Sequence, residues 1–450
     1  MVLLITQTPD ISASPAEAFK FPFIASQFFS LQMPKFLDQV LSEMRLFDLL
    51  LEFLNQNDPL PVLAGYFSKA CESLLGLNTE RFLLEFFRRD GHLKLVKGIG
   101  NLGLAELLGR ILMKSCEFGE FFEEFSQVFL EIREKFEGLD QISCFNLVCM
   151  IKQVTEHKNV QNSGFWFKYL NKNSSLLDQP SSVFKTFLKQ NPEFLVQIFV
   201  SLTSSKSFLR EACLKIILII LQCINHEIDQ EVQFAVSVLI KSSNDLTKIL
   251  ENPGISQEHL ITLEIIKTCL AYKSEEISNI LKNSQILGIF FNKLQNHPFC
   301  NFLHNSFLSI FSSILNSQDF VLKLHILEDL NLATFIVTQS LSQKVQSRNC
   351  EIKKGFIPHL FALSNLLQTQ KKTEIFIKQH LSSLKSWKKF TREVLEVQNL
   401  LESRQLGGEN FENFFDKSSN GDENLEFEDD FSEVNYWKLP IRFIPDPEDL

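Results

Sequence analysis

"SQEHLITLEIIKTCLAYK", residues 256–273, is the stretch whose periodicity decides the fold. Leu260, Leu263, Ile266 and Leu270 recur at offsets of three and four, and Ile261, Ile265 and Cys269 widen the stripe beside them. A half-buried strand would alternate every second residue. Offsets of three and four instead gather these side chains on one face of a helix. The arc is wide, which predicts a helix packed on two neighbours. Its start is legible too: "NPG" at 252–254 ends the preceding helix, and Ser256 carries an N-cap side chain.

The same grammar runs outward in both directions. Apolar runs with helical spacing are broken by short polar signals such as "NQNDPLP" (55–61), "RRDG" (88–91), "EGLD" (137–140) and "NHP" (296–298). Neither alternating β-branched runs nor Asn-Gly or Asp-Gly hairpin turns stand out. Gly (16) and Pro (14) are scarce, which fits long helices with little punctuation. The expected fold is therefore all-α. About twenty helices with short links exceed one bundle core, so an α-solenoid of HEAT or armadillo type is predicted. With 45 Phe against 4 Tyr and 3 Trp, large apolar rings should fill much of its interior.

Two stretches depart from the array. Residues 157–182 are Asn/Ser-rich around Phe165-Trp166-Phe167 and read as an irregular insertion. Residues 409–450 carry 13 Asp/Glu against 3 Lys/Arg, a balance of −10 that equals the whole chain's net charge. Residues 1–408 therefore sum to zero. The expected division is an extension over 1–18, a repeat domain over 19–408 and an acidic tail over 409–450, irregular and able to meet a basic surface at low salt. The neutral body gives no sign of a nucleic-acid partner.

No membrane insertion is expected, since the longest aliphatic stretch, "IILIILQCI" (216–224), is far below the ~20 residues of a span. "MVLLITQTPD" has no basic region of a signal peptide. The nine Cys lack any C-x-x-C pair and read as reduced, mostly buried thiols. A cytoplasmic location follows, with the nucleus as a second compartment.

Three motifs could carry chemistry. "GIGNLG" (98–103) meets the Gly-x-Gly-x-x-Gly pattern, but a dinucleotide loop needs a strand before it and a helix after it. The preceding "RFLLEFFRRDGHLKLVK" has helical spacing, so the glycines read as a turn in which Gly98 takes a positive φ past a helix end. "DKSSNGDENLEF" (416–427) imitates a calcium loop but ends in Phe427 where a bidentate Glu is required. The nine His form no H-x-x-x-H pair. No catalytic residue, cofactor or metal is assigned, and the residues themselves describe a non-enzymatic binding protein.

Several blocks resemble the SAPS family, the regulatory subunits of the protein phosphatase-six class of Ser/Thr phosphatases. They are "FPFIASQFFS" (21–30), "DPLPVLAGYFSKACESLL" (58–75), "HPFCNFLHNSFLSIFSSIL" (297–315), "GFIPHLFALSNLL" (355–367) and "WKKFTREVLEVQNLLESRQLGG" (387–408). They stand in the family's order, while 157–290 matches poorly and Pro358 departs from the pattern. The resemblance implies a scaffold that binds a Ser/Thr phosphatase catalytic subunit, directs its substrate choice or location, and accepts further adaptor subunits. Within the matching blocks, Tyr66, Lys69, His304, Asn305, His359 and Asn365 are the candidate partner contacts, expected as exposed polar residues with Tyr66 as an aromatic anchor. The alternative is a generic armadillo-like adaptor without a phosphatase partner.

Overall fold

The computed structural model describes residues 1–8, 14, 16–31, 33–56, 59–155, 180–223, 229–342, 344–347 and 350–403. Two compact units divide the chain, Met1–Lys388 and Lys389–Leu450. The first opens with helices α1 (Val2–Thr6), α2 (Phe21–Ser30), α3 (Pro34–Ser42), α4 (Met44–Leu51), α5 (Pro61–Leu77) and α6 (Thr79–Arg88). It continues through α7 (Gly91–Lys97), α8 (Leu102–Ser115), α9 (Phe122–Lys135), α10 (Gln141–Thr155), α11 (Pro180–Gln190) and α12 (Pro192–Ser201). Next come α13 (Ser207–Gln222), α14 (Asp229–Glu251), α15 (Gln257–Leu270), α16 (Glu275–Asn283), α17 (Ile286–Asn296) and α18 (Asn301–Asn316). After α19 (Phe320–Leu324) and α20 (Leu332–Leu341) stands a hairpin, β1 (Lys344–Ser347) and β2 (Cys350–Lys353), then α21 (Ile357–Gln370) and α22 (Ile375–Ser383), and α23 (Lys385–Phe390) carries the chain past the unit boundary at Lys388. In the second unit, a π-helical turn at Thr391–Leu395 leads into α24 (Glu396–Glu402).

Local chemistry sets these boundaries. Proline occupies the first turn of α2, α3, α5, α12 and α21, where no N–H is needed within the helix. Pro358, the departure from the family pattern, is one of these. Asn78, Asn101 and Asp319 cap α6, α8 and α19 by accepting first-turn N–H groups. At α15, Ser256 is the N-cap as expected, and His259 takes the place Glu or Gln usually fills in a capping box. Its Nδ1 accepts the Ser256 backbone N–H at 3.1 Å.

In the first unit the array has a clear order. α2 packs on α5, α5 on α8, α8 on α10, α10 on α13, α13 on α15, α15 on α18 and α18 on α21. Between α5 and α8, α13 and α15, and α18 and α21 the contacts advance together along both helices, so these neighbours run parallel. Ser68 Oγ donates to the Gly103 carbonyl at 2.8 Å, and one turn further Glu72 pairs with Arg110. Arg210 meets Glu258 near the start of α13 and α15, while Tyr272, just past α15, donates to the Leu221 carbonyl near the end of α13. The remaining helices of this unit pack beside the array. Phenylalanine fills the joints as the composition predicts: Phe125, Phe129, Phe184, Phe187 and Phe194 form one ring cluster, and Phe290, Phe291, Phe307, Phe311 and Phe335 another.

Three readings need adjustment. On α15, Leu260 and Leu270 sit at the margin of the buried arc, and Ile261, Leu263, Ile265, Ile266 and Cys269 are its centre. "GIGNLG" does join two helices, α7 and α8, but Gly98 has φ −89° and not the expected positive value. A Cβ there would lie 2.7 Å from Leu104 Cδ1, so any larger residue would make the buried Leu104 side chain shift. Among the described residues the left-handed turn positions fall on Asp90, Lys273, Gln285, Asn331 and Gly254. Finally, the antiparallel hairpin was not anticipated, since its four-residue strands pairing Val345 with Ile352 are too short to display alternation.

The insertion around Phe165-Trp166-Phe167, the acidic tail and the calcium-loop imitation lie outside the described residues. Among the described residues, no helix is long and apolar enough to cross a membrane.

Candidate functional site

The six sequence-selected residues fall in two places. Tyr66 and Lys69 lie on α5, one turn apart. Tyr66 is half-buried, its ring edge-on to Phe23 of α2 with centroids 6.3 Å apart. Lys69 is exposed beside the Glu72 carboxylate, which burial pushes above the usual carboxylate range against the pull of Arg110. His304, Asn305, His359 and Asn365 lie on the adjacent helices α18 and α21, several array positions away.

The structure draws three of these four together. Leu303, Phe307, Ile310, Phe311 and Ile314 bury one side of α18, and His304 belongs to that side. It was expected to be exposed; it is completely buried (0% accessible) and cannot touch a partner directly. Its Nε2 donates to the His297 carbonyl at 3.1 Å, and its ring sits edge-on to Phe356 and His359, each 5.6 Å away. Burial holds the His304 pKa below the ordinary imidazole value, the His297 carbonyl opposing and a charge on His359 reinforcing the depression. His359 is lowered by burial as well, against the Gly355 carbonyl. Asn305 is exposed and its Oδ1 lies 2.9 Å from His359 Nε2, which ties the two helices at the surface. At their far ends Gln370 Nε2 donates to the Leu315 carbonyl. Gly355 completes the joint: its N–H donates to the Pro298 carbonyl at 2.8 Å, and a Cβ would stand 3.1 Å from that oxygen and 3.3 Å from His304 Cε1. Asn365 lies on the same helix, half-buried, its carbonyl accepting from Thr369.

One property of this joint was not read from the sequence. "NFLHNSFLSIFSSILN" and "IPHLFALSNLLQTQ", the whole of α18 and α21, contain no Asp, Glu, Lys or Arg. Their outward residues form two parallel stripes: Phe302, Asn305, Ser309 and Ser313 on α18, and Pro358, Ala362 and Thr369 on α21. Phe302 is 72% exposed, and Phe299 just before α18 is 51% exposed. From α5 to α15 the array presents charges, including Glu106, Lys152, the Glu211–Lys215 pair and the Glu264–Lys267 pair, while α2 is charge-free as well. A scan for charge-free helices with an exposed aromatic residue would have found this face together with α2.

These features describe a predominantly helical chain that fits the armadillo/HEAT-like kind. Residues 276–404 match the SAPS family, SIT4 phosphatase-associated protein. The SAPS resemblance is thus shown, on a segment holding α18, α21 and the blocks beginning at 297, 355 and 387. The chain is 34% identical over 118 residues to human serine/threonine-protein phosphatase 6 regulatory subunit 2, covering 26% of this chain and 12% of that protein. The mouse protein of the same name is 33% identical over 118 residues, 26% of this chain and 13% of its own. Mouse serine/threonine-protein phosphatase 6 regulatory subunit 1 is 29% identical over 114 residues, again 13% of its length. The matched stretch therefore spans about an eighth of these curated relatives. The blocks at 21–30 and 58–75 lie outside the family match.

Proposed function

We propose that this chain is a non-catalytic regulatory subunit that binds the catalytic chain of a Ser/Thr protein phosphatase and directs its substrate choice or location. The match of residues 276–404 to the family of phosphatase-associated proteins carries this reading, and the names of the similar proteins support it. The sequential packing of helices from α2 to α21 supports the solenoid that such a scaffold would use, each helix burying its stripe against the next. A cytoplasmic or nuclear site of action and the recruitment of further adaptor subunits belong to the same proposal.

Affinity purification of the tagged full-length chain from its native cell, with mass spectrometry of what co-purifies, tests it. A Ser/Thr phosphatase catalytic chain at near-stoichiometric yield is expected. Repeated recovery of other proteins without any such chain would leave a generic adaptor as the better description.

A further inference from the structure

We propose that the charge-free face of α18 and α21, centred on Phe302, is the surface on which the phosphatase catalytic chain docks. This rests on the regulatory-subunit reading above and assigns it a place. Both helices lie inside residues 276–404, the part of the chain matched to phosphatase-associated proteins. A second exposed apolar group, Phe19, Phe21, Phe23 and Ile24 around the start of α2, lies outside that segment.

The physical case starts from the cost of exposure. A phenyl ring 72% in water, one turn before the Asn305 that meets His359 of α21, exposes apolar surface that a partner would cover. Interface cores combine aromatic anchors with depletion of charge, and this is the one adjacent pair of array helices from α5 onward without a charged residue. Rigidity is supplied from beneath. The His359–Asn305 contact at one end and the Gln370–Leu315 bond at the other fix the register of the two stripes, so little ordering remains to be done on binding.

The same chemistry describes the occupant. A charged group of the partner pressed on this face would lose water and find no counter-charge on α18 or α21. The matching patch on the catalytic chain is therefore uncharged, with an apolar recess for the Phe302 ring and neutral hydrogen-bonding groups opposite Asn305 and Ser309.

Binding of purified protein phosphatase 6 catalytic subunit to the full-length chain, measured by interferometry, tests the assignment. Phe302→Asp and Ser309→Lys should each weaken binding by roughly 30-fold or more, the loss expected at an interface hot spot. Phe21→Asp, a charge placed in the other apolar group, should leave the affinity within about threefold. Ser309 is a partly exposed helical position at which Lys folds readily, so it decides the matter should Phe302→Asp perturb the fold by circular dichroism. Wild-type binding that survives both substitutions overturns the docking face and leaves the regulatory reading standing. A wild-type chain that does not bind the subunit overturns both.

Discussion

The joint between α13 and α15 makes a quantitative test of how the array is held. Arg210 and Glu258 form a fork: Nη2 lies 3.0 Å from Oε1, and Nε lies 3.3 Å from Oε2. The Glu258 side chain is 8% exposed and that of Arg210 21%, with Arg210 Nη1 also donating to the Ser204 carbonyl at 2.6 Å. Glu258→Ala strands a mostly buried guanidinium. Removing one partner of a fully buried pair costs about 3–5 kcal/mol. Arg210 keeps some solvent and the Ser204 bond, so roughly 2–3 kcal/mol is expected here. That corresponds to about a 30- to 150-fold rise in local opening at ~1.4 kcal/mol per tenfold. Hydrogen exchange by mass spectrometry is the suitable assay, because long helical arrays need not unfold in one step. Peptides from 207–222 and 257–270 should lose protection by that factor, while peptides from α5 and α8 should not change. Arg210→Met with Glu258→Leu, which removes both charges and keeps apolar volume, should restore most of the protection. Loss of less than about threefold in Glu258→Ala, or a double variant that exchanges as fast as the single one, would refute the reasoning.

Two further outcomes follow from the buried titratable groups. Burial lowers the pKa of His304 in the folded chain, so its contribution to stability is complete above the unfolded value near 6.5 and declines as pH falls toward the folded value. Thermal unfolding between pH 7.5 and 5 should show that decline, and His304→Gln should flatten it; an unchanged slope would mean that the imidazole is not held neutral. Burial pushes the thiols of Cys116 and Cys269 up to about 12 and that of Cys144 to about 11. Among the eight cysteines whose burial is described, native alkylation at pH 8 should therefore label the half-buried Cys149, Cys223 and Cys300 first, read by peptide mapping.

The helical class was legible because it rests on spacing alone. Leu263, Ile266 and their neighbours announce α15 wherever its partners lie, and proline and asparagine mark the ends of α5, α8 and α21 by local chemistry. What spacing could not say is which polar residue turns inward. Glu258 and His259 lie on the buried face of α15 against groups from other segments, Arg210 of α13 for Glu258 and Lys293 of α17, 3.3 Å from His259 Nε2, while Thr262 turns in and donates to the Glu258 carbonyl of its own helix. The same limit explains His304. Its helix position was clear, but burial depends on Phe356 and the 297–298 turn, which no local pattern encodes. Gly98 and Gly91 show the limit for glycine. Each stands at a helix boundary as read, yet the missing Cβ serves the close approach of Leu104 and Phe86, not a left-handed backbone.

The choice of cross-tie along the array bears on where a partner can bind. α5 and α8 are joined by Glu72 and Arg110, and α13 and α15 by Arg210 and Glu258. Such pairs fix register well while water reaches part of them, but covering them with a protein surface adds a desolvation cost that their mutual attraction only partly offsets. α18 and α21 are tied instead by His359–Asn305 and by Gln370 on the Leu315 carbonyl, and depressed imidazole pKa values keep the His304–His359 joint neutral at pH 7. Neutral ties lose far less when water is excluded. A joint that had only to hold two helices together in water gains nothing by avoiding charge along thirty residues. A joint whose outer surface is to be covered does, and Phe302 stands on that surface with most of its ring still exposed.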